Sequence, residues 1–150
     1  MQDILLRQAV ASDLEALTQF NQAMALETEN KTLDENTLRQ GVNGILRHPQ
    51  FGFYLVAEKG GEIVGSLAVT YEWSDWRNSL FWWIQSVYVL PAHRRQGIYS
   101  ALYTKAKALA AEQGNVCGFR LYVEKDNLAA QATYQHLGMQ ECQYFMYQSK

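Results

Sequence analysis

The chain has 150 residues, 48% of them hydrophobic and 19% charged, and thirteen Lys and Arg against fifteen Asp and Glu leave a formal net charge of −2. A chain of this length buries about 68–70% of its unfolded surface, so one domain over residues 1–150 needs no metal or disulfide to hold its core. The slight acidity gives a nucleic-acid partner little electrostatic support.

No run approaches the ~18 consecutive apolar residues of a membrane span. Met1-Gln2-Asp3-Ile4 lacks the basic flank and apolar stretch of a signal peptide, so a cytoplasmic location without a membrane partner is expected. Cys117 and Cys142 sit in apolar contexts with no metal-ligand spacing. They read as reduced core thiols, and no metal is expected.

In chain order, 4–7 reads as a short first strand, and Ser12-x-x-Glu15 is a capping box opening a helix with Leu14, Leu17, Phe20 and Met24 inward. A second box, Thr32-x-x-Glu35, opens a helix with Leu38, Val42, Ile45 and Leu46 at helical spacing, ending near Pro49. Strands over 53–58 and 63–71 flank the hairpin turn Lys59-Gly60-Gly61-Glu62. A loop over 73–78 leads to a long strand, 80–90. A helix follows from about Gly97 to Gln113, stopped by Gly114, then a strand over 116–123. A short helix capped by Asp126 and ended by Gly138 comes next, and a strand over 140–147 closes the sheet. The order implies a single mixed α/β domain. Its sheet is mostly antiparallel, with a right-handed parallel unit joining the 80–90 and 116–123 strands.

Val87-Tyr88-Val89-Leu90-Pro91-Ala92-His93-Arg94-Arg95-Gln96-Gly97-Ile98-Tyr99-Ser100 runs from an apolar strand through a proline stop and two arginines to a glycine that opens a helix. Unpaired N–H groups at a helix start, together with the macrodipole, favour a phosphate there. Farther on, Asn127, Ala130, Tyr134 and Leu137 fall at i, i+3, i+7 and i+10 on one helical face. Neither Gly-x-x-x-x-Gly-Lys-Ser/Thr nor Gly-x-Gly-x-x-Gly occurs, which argues against a nucleotide-dependent enzyme.

Arg94-x-x-Gly97 resembles the pyrophosphate loop, Arg/Gln-x-x-Gly-x-Gly/Ala, of the GNAT superfamily of acyl-CoA-dependent N-acetyltransferases. It departs from that pattern at Tyr99, where a small residue is usual. Leu121-Tyr122-Val123, then Asn127, Ala130, Tyr134 and Leu137-Gly138-Met139 resemble the same superfamily's pantetheine-contacting region, which supplies a tyrosine acid. The resemblance implies acetyl-CoA as co-substrate, held by Val87, Tyr88, Val89, the segment Arg94 to Ser100, Asn127 and Ala130. It also implies that the two parallel strands splay to admit the thioester. The reaction implied is direct attack by a primary amine of a small molecule or peptide, with Tyr134 protonating the departing thiolate. The alternative for Tyr134 is a ring packed on the sheet with its hydroxyl at the edge.

Many relatives place a glutamate base on the strand before the loop, where this chain has Gln85 followed by Ser86. An amine of lysine-like pKa, near 10.4, costs about 4.6 kcal/mol to deprotonate at pH 7. Water chains to Glu72 or Glu124, a carboxylate of the acceptor-side segment such as Glu27 or Glu29, or an aromatic pocket that lowers the amine's pKa are the open routes. Glu27, Glu29, Trp73 and Gln85 are the candidate acceptor contacts. Trp73, Trp76, Trp82 and Trp83 suit a cationic amine, or equally a core or homodimer contact. A non-catalytic acyl-CoA sensor is the alternative reading.

Overall fold

The computed structural model describes residues 3–150; the leader-free start read at Met1 and Gln2 lies outside the described residues. The elements are β1 (Ile4–Gln8), α1 (Leu14–Glu29), α2 (Glu35–Arg47), β2 (Gly52–Lys59), β3 (Glu62–Ser74), β4 (Ser79–Val89), α3 (Ile98–Gln113), β5 (Val116–Arg120) and α4 (Leu128–His136). One sheet runs in the order β1-β2-β3-β4-β5, antiparallel except for the parallel pair β4–β5.

Alternation along the central strands explains the two layers of helix. Leu55, Ala57, Leu67 and Val69 point to one face, where Ile98, Leu102, Tyr103, Ala106 and Ala110 of α3 cover them around Trp82. Val56 and Ala68 point to the other, beneath Leu17 of α1 and Val42 of α2. Leu17, Leu55, Leu67 and Leu102 are fully buried, each contributing about 1.5–3 kcal/mol by leaving water. Gly65 on β3 fixes how closely α3 approaches: a Cβ there would lie 2.9 Å from Cγ2 of Ile98. The start of α3 is thereby seated directly on the sheet.

The helix starts differ from those read in the sequence. Ser12 lies in a 3-10 turn, Ala11–Asp13, and caps nothing. Asp13 instead accepts from the Val10 N–H at 2.7 Å and pairs with the Arg7 guanidinium at 2.8 and 3.0 Å. Asp34, not Thr32, caps α2 by accepting from the Thr37 N–H at 3.0 Å. Asn127, not Asp126, caps α4, its Oδ1 accepting from the Ala130 N–H at 3.1 Å. In the last two cases the acceptor adjoining the first helical residue is the one in reach of the orphan donor.

Three other expectations are corrected. β5 stops at Arg120 rather than 123, because β4 diverges from it there. The closing strand over 140–147 does not form: from Gln140 onward the chain makes no backbone–backbone hydrogen bond to a described residue. Cys117 and Cys142 are free thiols but exposed, not core.

Candidate active site between the splayed strands

The site begins as an irregularity in β4. Ser66 pairs with Tyr88 while Ala68 pairs with Gln85, so Ser86 and Val87 together face Leu67, and Ser86 adopts φ 52. Such a bulge disrupts the ladder and leaves the extra residue unpaired. On the other edge β4 and β5 pair from Leu80↔Val116 to Trp83↔Arg120 and no farther. Beyond that point Ile84–Val89 form one wall of a cavity of about 1330 Å³ and Leu121–Glu124 the other.

The connection from β4 to α3 crosses the end of this cleft. Arg95 (φ 62) and Gly97 (φ 78) are both left-handed, a backbone arrangement that gathers N–H groups into an anion-binding concavity. Glycine adopts that hand at no steric cost, and at position 97 it caps α3. Arg94 donates from Nε to the Val89 carbonyl at 2.9 Å and from Nη2 to Glu27 at 2.7 Å. It is thereby held at the cleft mouth with its other N–H groups uncommitted among the described residues. Tyr99 turns its ring away from the loop, stacking on Tyr103 and meeting Tyr134 edge-on at 5.8 Å between centroids. That packing explains how the bulky residue is accommodated where a small one is usual.

From α4, Asn127, Ala130, Tyr134 and Leu137 all face the same cavity, as their spacing predicts. Burial pushes the Tyr134 hydroxyl above its ordinary pKa, so it remains protonated at neutral pH. The Tyr99 hydroxyl and His93 Nδ1 are buried without a partner among the described residues, and both residues line the cavity. Unpaired buried polar atoms of this kind fit a polar ligand threading the cleft.

The third wall comes from α1 and the turn after it. Glu27 accepts from the Tyr88 hydroxyl at 2.5 Å as well as from Arg94. The Tyr88 hydrogen bond, assisted by Arg94, holds its carboxyl below the usual range. It is therefore a carboxylate at neutral pH, suited to receiving a cation and poorly suited to taking a proton.

Residues 14–139 match the Acetyltransferase (GNAT) family. This chain belongs to that family. Among solved structures, a possible acetyltransferase from Clostridium difficile 630 is 44% identical, with 98% of this chain and 97% of that one covered and a TM-score of 0.93. A GNAT-like fold is thus shared over nearly the whole length. A predicted acetyltransferase from Clostridium acetobutylicum, in a structure with acetyl-CoA, is 18% identical at a TM-score of 0.81 over 98% of this chain and 96% of that one. At that identity it shows the fold alone. Aminoglycoside N(6')-acetyltransferase type 1 of Acinetobacter haemolyticus is 36% identical over 67 residues, 45% of this chain and 46% of that enzyme. The matched part therefore spans about half the length of that relative.

Within this GNAT domain the residues named from sequence divide into two groups. Val87, Tyr88, Val89, Arg94, Arg95, Gly97, Ile98, Tyr99, Ser100, Asn127, Ala130, Tyr134, Glu124, Glu27, Glu29 and Gln85 line the cleft. Glu72 and Trp73 do not: they border a separate surface recess of about 300 Å³ with Phe81 and Arg120. There Glu72 accepts from Trp83 Nε1 at 2.7 Å and from Arg120 at 3.2 Å. Gln96 is not among the lining residues and accepts from Lys59 Nζ at 3.3 Å. Gln85 donates to Thr70 Oγ1 at 2.6 Å, which leaves its carbonyl oxygen for a ligand. His93, Asn21 and the Ser86 bulge were not anticipated. A backbone bulge carries no residue signature, and a histidine between a proline turn and two arginines reads as one more basic residue.

Proposed function

We propose that this chain acetylates the primary amine of a small cationic molecule or peptide, in the cytoplasm, by direct attack on acetyl-CoA within a ternary complex. The observation that supports this reading most strongly is the convergence of three features on one cleft: strands splayed beyond Trp83, a left-handed Arg95–Gly97 loop, and a protonated Tyr134. Acetyl-CoA supplies an activated thioester when bound. The loop from Arg94 to Ser100 holds its diphosphate through backbone N–H groups and guanidinium charge. The backbone of Val87, Tyr88 and Val89, with Asn127 and Ala130, lines up the pantetheine arm, and an N–H of the same strand stabilises the developing oxyanion.

On the acceptor side, Glu27, Glu29 and Gln85 receive the ammonium end of the amine. Glu72 and Trp73, walled off in the other recess, are set aside for this role. With Gln85 where relatives carry a glutamate, a water chain ending at Glu124 takes the amine proton. Tyr134 gives its own proton to the leaving thiolate and is restored from solvent.

Thiol release on mixing with acetyl-CoA and a panel of amines, aminoglycosides included, at pH 7 to 9 tests the reading. Amine-dependent release supports it, and acetyl-CoA binding without release on any amine sinks the transferase. The second outcome favours a non-catalytic acyl-CoA sensor, which the absence of a carboxylate at Gln85 motivates.

A further inference from the structure

The acceptor end of the cleft is built from α1 and the turn behind it, and that turn is pinned. Gln22 donates to the Leu33 carbonyl at 2.7 Å and accepts from the Leu33 N–H at 2.9 Å, while the Lys31 N–H reaches the Ala25 carbonyl at 3.2 Å. Lys31 is therefore carried into the lining of the cleft on fixed backbone, its ammonium 3.2 Å from Glu29. Neither acetyl-CoA binding nor the proton transfers proposed above use it.

Which charges share this end sets how much positive charge it can take. Glu27 and Glu29 are its carboxylates, and each already faces a cation, Arg94 at 2.7 Å and Lys31 at 3.2 Å. With Arg95 beside them, two carboxylates meet three cations. A bound diphosphate, carrying one charge on each phosphate, engages Arg94 and Arg95 and leaves Glu27 and Glu29 against Lys31 alone, a single net negative charge. One ammonium neutralises it. A second would stand against Lys31 with no carboxylate left on this side to receive it, since Glu124 lies on the opposite wall. Met24, Ala25, Leu33 and Ile84 line the same end, and apolar walls of this kind suit an uncharged body behind the amine.

We infer that the acceptor is a monoamine on an apolar body, and that Lys31 is the specificity-determining residue that turns away polycations such as polyamines and aminoglycosides. The inference rests on the acetyl-transfer reading above and narrows it. Discrimination of this sort comes from a repulsive group as much as from an attractive one. Lys31 acts twice: it repels a second ammonium, and it occupies Glu29, the second anchor that a polycation needs. Its side chain is 65% exposed, so water and salt screen the repulsion and its effect is moderate.

Acetyl-CoA-dependent thiol release with phenethylamine and with spermine, on the full chain and on Lys31→Glu and Lys31→Arg, tests the inference. The full chain is expected to favour phenethylamine in kcat/KM. Lys31→Glu should shift the ratio of the two substrates toward spermine by about 5- to 30-fold, the scale of two exposed charge interactions, and Lys31→Arg should keep the original ratio. Spermine used as well as phenethylamine by the full chain overturns the inference, and so does a ratio that Lys31→Glu leaves in place. Absence of thiol release with every amine strikes the transferase reading instead. Calorimetry on the CoA-saturated full chain then decides the selectivity: phenethylamine bound more tightly than spermine supports it, and spermine bound as tightly, or neither bound, overturns it.

Discussion

Replacing Tyr134 with Phe removes one oxygen from the cleft and leaves the ring that packs against Tyr99 at 5.8 Å. Burial is the sole cause of the hydroxyl's raised pKa, with no charge or hydrogen-bonding partner contributing, so the fold should lose no hydrogen bond. On the proposed mechanism, what is lost is the proton for the departing thiolate. A thiol pKa near 8.5 puts that proton about 1.5 units, or roughly 2 kcal/mol, to the favourable side at pH 7. The variant's kcat should therefore fall about 30-fold at pH 7. The deficit should shrink as pH approaches 8.5, where the thiolate leaves without help. Affinity for acetyl-CoA by calorimetry should stay within about two-fold, since a transition-state interaction leaves ground-state binding alone. Single-turnover acetylation across pH 6.5 to 9 is the assay. An unchanged kcat at pH 7, or a deficit that grows with pH, would refute the assignment.

Glu27→Gln should raise KM for the amine about 10- to 100-fold with kcat retained, the worth of one charge-assisted contact; steady-state kinetics on the best acceptor checks it. Gly97→Ala forces a Cβ into φ 78 with nothing within 4 Å to clash, so backbone strain of about 1–2 kcal/mol is the whole cost. Thermal denaturation should show Tm lower by about 2–8 °C. Asp13 is held below its usual pKa chiefly by the Arg7 hydrogen bond. A depressed carboxylate pKa adds stability that is fully present above the unfolded value near 3.9 and lost as pH falls through the folded one. Asp13→Asn should thus be less stable at pH 7, with a Tm that depends less on pH below about 4. Leu102→Ala, in the fully buried stripe of α3, should cost about 2–5 kcal/mol in denaturant melts while sparing acetyl-CoA specificity.

Much of this architecture is legible in the residues because the signals are local. Lys59-Gly60-Gly61-Glu62 announces the hairpin, the stripe Ile98, Leu102, Ala106 announces α3, and the Asn127-to-Leu137 spacing sets four side chains on one wall of the cleft. What escapes a sequence reading is set by longer-range geometry. Ser12 loses the capping role to Asp13, whose carboxylate accepts from the Val10 N–H and is held there by Arg7 of β1. Glu72 looks adjacent to the site along the chain. A register that places it opposite Phe81 puts its carboxylate under Trp83 and Arg120 instead. The Ser86 bulge and the divergence after Trp83, which together make the cleft, are features of backbone pairing between strands and leave no trace in residue type. The 140–147 segment has strand composition, yet it joins no ladder with a described strand.

In the proposed complex the thioester lies between the splayed ends of β4 and β5, with its diphosphate on the loop before α3. Amide hydrogen exchange with and without saturating acetyl-CoA reads that placement directly. Slowed exchange confined to 85–90, 94–101 and 121–130 is the predicted result. Unchanged exchange in these segments, or protection centred on the recess around Glu72 and Trp73, would contradict it.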